Sequence, residues 1–397
     1  MKILFVLNIG FDRGGPSVHL LTDVIESALS RGHNCHVVLK RTTDSEITGL
    51  ENLSEKYGDL LCVSLVKDTS KKKGGFVKRY LNDCAYAVKS RKFYKKNNYD
   101  VAFLQSCNVA WIYTGFFKRK KLPVVYNVQD IFPQNLMFSS QLPVSKITYP
   151  VFCRLQNAAY KRAGKIITIS HDMKQTLVEQ GIAADKIEVV FNWSYGDDDI
   201  RLESIPADRI FDMHMDKSKT NVVYAGNIGK MQNVELIAEA AKLSKDDASV
   251  HYYIIGDGAN KTRVTSMVEG LDNVTILPMQ PSRYAESIYA QADINVIPLA
   301  KGGIKTALPS KTATVLRTGG YTVFCIDKNS EFEKMLTDIG QIAVVDNASA
   351  ENLYFEIKNY ANKTNVSKNC DYLCAITKIF STKNAKKYVD AIEDLIL

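Results

Sequence analysis

The sequence predicts an α/β chain folded as two tandem Rossmann-like domains that face a central cleft, and three observations carry that prediction. Apolar runs of strand length alternate with helix-period segments from the first residues to about residue 191. A polar, weakly periodic stretch, Ser194 to Lys219, then interrupts the pattern and reads as a linker. The same alternation restarts at Asn221. The expected domains are 1–200 and 201–380, with a last segment, 381–397, forming a helix that returns to the first domain. At 397 residues the chain is long enough for two domains of ordinary size.

Residues 2–7 are an apolar first strand and too short for a cleavable leader. A glycine loop, 8–15, leads into a helix over 16–29 whose apolar positions are Val18, Leu21, Val24, Ile25, Ala28 and Leu29. Arg31-Gly32-His33 stops that helix, and 35–39 is the next strand. Further strands are expected at 61–65, 101–105, 123–128, 166–169 and 187–191. In the second half they fall at 221–225, 251–255, 273–277, 294–298 and 321–326, with helices near 232–243, 260–269 and 283–291. The final helix, about 383–397, is amphipathic through Tyr388, Ile392 and Leu395.

Apolar content of 46% and charged content of 24% fit a globular chain, and no apolar run reaches the length of a spanning helix. Eight scattered cysteines (35, 62, 84, 107, 153, 325, 370 and 374) predict reduced thiols rather than a disulfide framework. His33 and His36 lack a nearby third ligand, and Asp197-Asp198-Asp199 follows no apolar strand directly; neither predicts a metal site. The charge is uneven. Residues 66–165 carry 20 Lys/Arg against 4 Asp/Glu, a net +16, whereas the whole chain is only +8. Between 66 and 121 these cations interleave with Phe76, Tyr80, Tyr86, Phe93, Tyr94, Phe116 and Phe117. A solvated surface is one reading; an anionic membrane face or another polyanion is the other, and the asymmetry favours it. No recognition motif for nucleic acid accompanies the charge.

One stretch organises the second half: Gly303 to Gly320, between the apolar runs 294–299 and 321–326. Ser310 is the expected N-cap of a short helix over 312–316, with Gly319 as its stop. A helix starting past a strand's carboxyl end aims free N–H groups at a crevice, and Lys305 and Lys311 add positive charge, so the stretch predicts a diphosphate-binding corner. Three other strand ends carry small residues: Gly14-Gly15, Gly226-Asn227-Ile228-Gly229-Lys230, and Gly256-Asp257-Gly258. None completes the dinucleotide fingerprint, so no dinucleotide cofactor is expected. Together they fit a nucleotide diphosphate held mainly by the second domain. In the first domain the strand 123–128 delivers Gln129-Asp130 to its carboxyl end, where Asp130 reads equally as a cleft carboxylate or as a cap.

These pieces, in this order, resemble the GT-B glycosyltransferases of family 4, and within them the group that builds bacterial O-antigen, capsule and colanic-acid-type polysaccharides. The resemblance rests on Gly14-Gly15-Pro16, Arg31-Gly32-His33, Val128-Gln129-Asp130-Ile131-Phe132-Pro133, Ile169-Ser170, Val190-Phe191-Asn192-Trp193, Tyr224-Ala225-Gly226-Asn227-Ile228-Gly229 with Gln232-Asn233, Ile255-Gly256-Asp257-Gly258, Ala292-Asp293-Ile294 with Pro298-Leu299, and Pro309-Ser310-Lys311. It implies retaining transfer from a nucleotide-diphospho sugar, UDP-sugars favoured, without metal or other cofactor. It also implies a lipid-linked acceptor at the inner face of the cytoplasmic membrane. Carried onto this chain, it makes Asp130 and Gln129 the catalytic residues. Donor binding falls to Gly14, Gly15, Gly226, Asn227, Lys230, Gly256, Asp257, Gly258, Lys305, Ser310, Lys311 and Thr314. The sequence departs from the family where two glutamates eight apart are usual: Thr306 and Thr314 stand there. That departure motivates an alternative, a non-catalytic partner subunit of a polysaccharide assembly complex. A sugar-nucleotide 2-epimerase shares the architecture, but no set of acidic cleft residues supports it.

Overall fold

The structure is a computed structural model that describes all residues except 10, 12–16, 42–48, 68–75, 139–147, 197–199, 338, 362–369 and 397. Its elements run β1 (Lys2–Leu7), α1 (Val18–Ser30), β2 (Asn34–Arg41), α2 (Leu50–Tyr57), β3 (Leu61–Lys67), α3 (Phe76–Tyr94), β4 (Val101–Gln105), α4 (Ala110–Arg119), β5 (Val124–Val128), α5 (Thr148–Arg162), β6 (Lys165–Thr168), α6 (His171–Glu179) and β7 (Ile187–Val189). The second half continues with β8 (Thr220–Asn227), α7 (Glu235–Leu243), β9 (Val250–Asp257), α8 (Lys261–Met267), β10 (Val274–Leu277), α9 (Ala285–Ala290), β11 (Ile294–Pro298), α10 (Thr312–Arg317), β12 (Tyr321–Ile326), α11 (Glu331–Thr337), β13 (Ile342–Asp346), α12 (Ala350–Ala361), α13 (Cys370–Ile379) and α14 (Asn384–Glu393).

Two compact units result. The first runs through Asn192 and takes back Thr382–Leu397; the second is built on Trp193–Ser381. The stretch 194–219 expected as a linker therefore belongs to the second unit, where Ile200, Ile205 and Met213 are buried. Its polarity hid those three anchors because they are too sparse to make a period.

Each unit is a parallel sheet. The first orders its strands β3-β2-β1-β4-β5-β6-β7 and the second β10-β9-β8-β11-β12-β13. The strand order reverses between β1 and β4 in one and between β8 and β11 in the other, the switch points where such sheets open a ligand crevice at their carboxyl edge. Strands β4, β5, β11 and β12 are buried along their whole length, which is why they read as predominantly apolar runs rather than alternations. The strand list drawn from the sequence ends at 326; β13 lies at the sheet's edge, only half-buried, and its weaker pattern escaped notice.

The returning helix α14 is part of the first unit. It buries Ala385, Tyr388, Val389, Ala391 and Ile392, and Tyr388 packs 6.1 Å from Phe103 of β4. Polar ties flank that apolar stripe. Arg31 reaches Asp390 and Glu393 at 2.7 Å each, and His33 Nε2 meets Glu393 Oε1 at 2.7 Å. Burial alone would raise the Glu393 carboxyl, but the His33 hydrogen bond and the Arg31 charge outweigh it and hold the group below its ordinary value. His36 instead sits between Tyr99 Oη at 2.5 Å and Ser64 Oγ at 2.8 Å, so both histidines serve the packing of the sheet. The seven described cysteine side chains are all free thiols, and burial pushes Cys35 and Cys107 up to about 12. Among the described residues no helix is long and apolar enough to cross a membrane.

Candidate functional site

At the switch point of the second unit, β8 delivers Ala225 and Gly226 and the loop before α10 delivers Lys311. The Lys311 ammonium donates to the Ala225 carbonyl at 3.0 Å and lies 3.7 Å above the ring of Tyr224. Tyr289 Oη donates to the same carbonyl at 3.0 Å. Among the described residues no carboxylate contributes to the surroundings of this cation, and desolvation pushes it down to about 7. A cation withdrawn from water without a counter-ion is costly unless a ligand brings the anion. Lys311 also lies 3.3 Å from where a side chain on Gly226 would begin, so the space beside the ammonium stays clear only with glycine there.

The other glycines are explained by backbone packing. Gly226 and Gly256 pair across β8 and β9, and a Cβ on Gly256 would stand 1.9 Å from the Gly226 carbonyl oxygen. Gly258 adopts φ +156°, and a Cβ there would meet the Ile228 carbonyl at 2.5 Å. Asp257 between them is exposed and accepts from Gly258 N at 2.8 Å. The loops leaving β8 and β11 are tied by Ala300 N to Met231 O at 2.8 Å, and Asp327 accepts from Gly302 N at 2.9 and 2.8 Å. Asn227 donates to Gln232 Oε1 at 2.9 Å, while Lys230 and Lys305 are exposed.

One expectation changes here. Ser310 does not cap α10: the cap position is Lys311, no side chain bonds there, and Thr312 N turns back to Pro309 O at 3.0 Å. The proline closes the turn one residue earlier than the serine pattern suggested. The helix is only six residues long, so the formal charge of Lys311 outweighs its dipole. The two threonines at the glutamate positions are spent locally: Thr306 Oγ1 donates to Gly303 O at 3.1 Å, and Thr314 Oγ1 pairs with Ser194 Oγ at 2.9 Å. Arg317 Nη1 donates to Tyr195 O at 2.8 Å, and its carbonyl accepts from Ile200 N at 3.0 Å, stitching Tyr195 and Ile200 to α10.

In the first unit Asp130 stands at the carboxyl end of β5, exposed, and the protein packed around its carboxyl raises its pKa by desolvation. Gln129 is committed at both ends of its amide: Nε2 donates to Asn127 Oδ1 at 2.9 Å, and Oε1 accepts from Asn192 Nδ2 at 2.7 Å. Asn127 in turn donates to Gln105 Oε1 at 2.8 Å, and Tyr388 of α14 lies 3.5 Å from Gln129 Nε2. This amide ladder fixes the strand ends beneath Asp130. Gly14 and Gly15 lie outside the described residues. Among the described residues no group of three or more His, Cys, Asp or Glu is placed to hold a metal ion.

The sequence motif included Tyr224 without giving it a role, and Tyr289 and Ser194 were not singled out. Tyr224 carries the signal that could have found it, an aromatic two residues before the first glycine of the corner.

Two doubly wound units in tandem, the second with Lys311 at its switch point, define the two-domain class of GT-B architecture. A family profile described as Glycosyltransferase Family 4 matches residues 13–193, and one described as Glycosyl transferases group 1 matches 219–315. The chain thus matches glycosyltransferase profiles in both units, the first profile covering most of its first unit and the second about the first half of its second. Among curated proteins it is 28% identical over 213 residues to the putative colanic acid biosynthesis glycosyl transferase WcaI of Escherichia coli K12, covering 50% of this chain and 51% of that protein. It is 24% identical over 222 residues to the probable glycosyltransferase WbjE of Pseudomonas aeruginosa, covering 54% and 53%. The chain thus aligns over about half the length of the curated relatives it matches. Among solved structures it is similar to Anabaena Alr3699/HepE in complex with UDP and glucose, TM-score 0.70 at 15% identity over 99% of both chains. The lipopolysaccharide outer core galactosyltransferase WaaB in its apo form gives TM-score 0.66 at 14% identity, again over 99% of both.

Proposed function

We propose that this protein transfers a glycosyl group from a nucleotide-diphospho sugar, with UDP-sugars favoured, to a lipid-linked saccharide acceptor during assembly of a bacterial surface polysaccharide such as O-antigen or capsule. The observation that carries the reading is Lys311, an enclosed ammonium at the switch point with no carboxylate beside it among the described residues. A donor diphosphate supplies the missing anion, and as the leaving group departs the same ammonium stabilises the charge that develops on it. The UDP complexes of the Anabaena protein support a uridine nucleotide.

In this reading the second unit binds the donor through Gly226, Asn227, Lys230, Lys305, Ser310 and Lys311, with Gly256 to Gly258 shaping the nucleoside end and Thr314 limited to a hydroxyl contact. Gly14 and Gly15 of the first unit approach the donor sugar. Asp130 orients the acceptor hydroxyl or the transferred sugar, and Gln129 is the positioning residue behind it. Retention of stereochemistry and independence from metal come from the family resemblance. The acceptor's lipid places the work at the inner face of the cytoplasmic membrane, with the protein peripherally attached.

A second reading has a specific observation behind it: both family glutamates are threonines whose hydroxyls already bond within the protein. A non-catalytic partner subunit would bind no donor. Calorimetric titration with UDP-, GDP- and dTDP-sugars separates the two. Saturable binding of one donor that is weakened in Lys311→Ala supports transfer; no heat with any donor supports the partner subunit.

A further inference from the structure

The first unit carries a second cationic site, at the opposite edge of its sheet from Asp130. Helices α3, α4 and α5 end just before β4, β5 and β6, so their carboxyl ends gather at the amino ends of the strands. There an open cavity of about 370 Å³ is lined by Arg91, Lys118, Arg119 and Arg162 together with Trp111 and Phe116, and no acidic residue lines it. The Arg91 guanidinium stacks 4.3 Å from the centre of the Phe116 ring, and its Nε is buried without a hydrogen-bond partner. Arg162 Nη1 donates to Trp111 O at 3.3 Å, which anchors the far wall. An unsatisfied buried guanidinium N–H beside three more cations calls for an anionic oxygen.

The surface leading to this cavity says which anion. On α3, Val77, Leu81, Val88 and Arg91 follow one another at helical spacing along a single seam, and Lys95 lies just past the helix's end. Val77, Leu81 and Val88 are 64%, 61% and 55% exposed, an apolar line no part of the described protein covers. Lys78, Arg79, Lys89 and Lys92 flank it. Across α3 a second open cavity, of about 820 Å³, is lined by Lys67, Lys89, Lys92 and Lys95 with Val88 and Phe93. An apolar seam bordered by cations is the pattern of a helix lying in the headgroup layer of an anionic bilayer. We propose that Arg91, Arg162, Lys118 and Arg119 form a pocket for the phosphodiester headgroup of an anionic phospholipid, entered as the α3 seam settles into the bilayer surface. The inference rests on the membrane-side part of the proposed function and is independent of the donor chemistry.

Full-length protein is sedimented with vesicles of phosphatidylcholine alone and of phosphatidylcholine with phosphatidylglycerol. Binding is expected only to the second. The Arg91→Gln/Arg162→Gln pair should lose roughly thirtyfold in partition, two charges at about 1 kcal/mol each. A charge-matched pair on the second unit, Lys217→Gln/Lys245→Gln, should lose less than half of that in logarithmic terms; equal losses would mean that net charge alone drives binding and would overturn the pocket. Because Arg162 also holds Trp111, the exposed pair Lys118→Gln/Arg119→Gln is measured alongside and should show the same selective loss. The chain has two tryptophans, and Trp193 is buried in the other unit, so Trp193→Phe leaves Trp111 as a local reporter. Its emission should shift to the blue on phosphatidylglycerol vesicles and stay fixed with glycerol 3-phosphate or inorganic phosphate. Saturable binding of inorganic phosphate without vesicle binding, or RNA binding lost in the same variants without vesicle binding, would each overturn the lipid assignment. Donor calorimetry on the same variants should be unchanged, so failure of vesicle binding and failure of donor binding remain separate results.

Discussion

The carboxyl edges of the two sheets share one topology and carry opposite equipment. In the second unit the switch point holds a cation with no anion among the described residues, Lys311 over Tyr224. In the first, the end of β5 holds an anion with no cation among the described residues, Asp130 above an amide ladder. Each is expensive alone, and each is cheaper once a charged or polar ligand arrives. The difference teaches that one architecture can carry opposite charges at the same topological position; in the proposed function the cationic edge takes the donor phosphate and the carboxylate edge the acceptor hydroxyl.

The comparison can be broken most directly at Asp130. Asp130→Asn keeps the shape and removes the charge, so donor affinity should hold while turnover falls by about 10²-fold or more, the scale of a lost positioned group. Because desolvation raises the Asp130 carboxyl, wild-type turnover should decline on acidification at a pH above the usual carboxylate range. Equal loss of donor affinity would mean that the division of labour is wrong.

Lys311→Met comes next. It should weaken donor binding by about 10- to 100-fold in calorimetry, the range for a hydrogen bond involving a charged group. The folded lysine sits near 7 against 10.5 when unfolded, so between those values the unfolded state binds more protons and stability without donor should rise with pH. The variant should lack that rise. Donor binding near pH 8.5, between the two values, should take up a proton in wild type, seen as a dependence of the heat on buffer ionisation, and not in Lys311→Met.

The smallest effect belongs to the clasp that returns the chain to the first unit. Glu393→Gln removes a partly exposed carboxylate from Arg31 and His33 and should cost less than about 1 kcal/mol in denaturant unfolding. The depressed Glu393 contributes stability above its unfolded pKa and loses it as pH falls through the folded value, so the gap between wild type and variant should close in acid. A gap that grew on acidification would remove this role.

How much was legible varied with the kind of signal. Strands β4, β5, β11 and β12 were plain in the sequence because a strand buried on both faces is mostly apolar, with the few polar residues (Gln105, Asn127, Asn295, Thr322) buried as well. The edge strand β13 was not, since half its surface meets solvent and its composition relaxes accordingly. Gly226 and Lys311 were found as types at strand ends, but Ser310 was misread as a cap because Pro309 closes the turn first. Gln129 was picked beside Asp130, whereas the structure commits its amide at both ends, a fact set by Asn192 sixty-three residues away.

By itself, the sequence determined the two βα series, the return of the last helix and the concentration of cations between 66 and 165, because periodicity and composition are local properties of the chain. Only the tertiary structure decided that Lys311 stands over Tyr224 without a carboxylate among the described residues, that Thr314 is taken by Ser194, and that Arg91, Arg162, Lys118 and Arg119 converge on one cavity. Those contacts join residues from 27 to more than 100 positions apart, and only the crossovers of a parallel sheet bring such positions together.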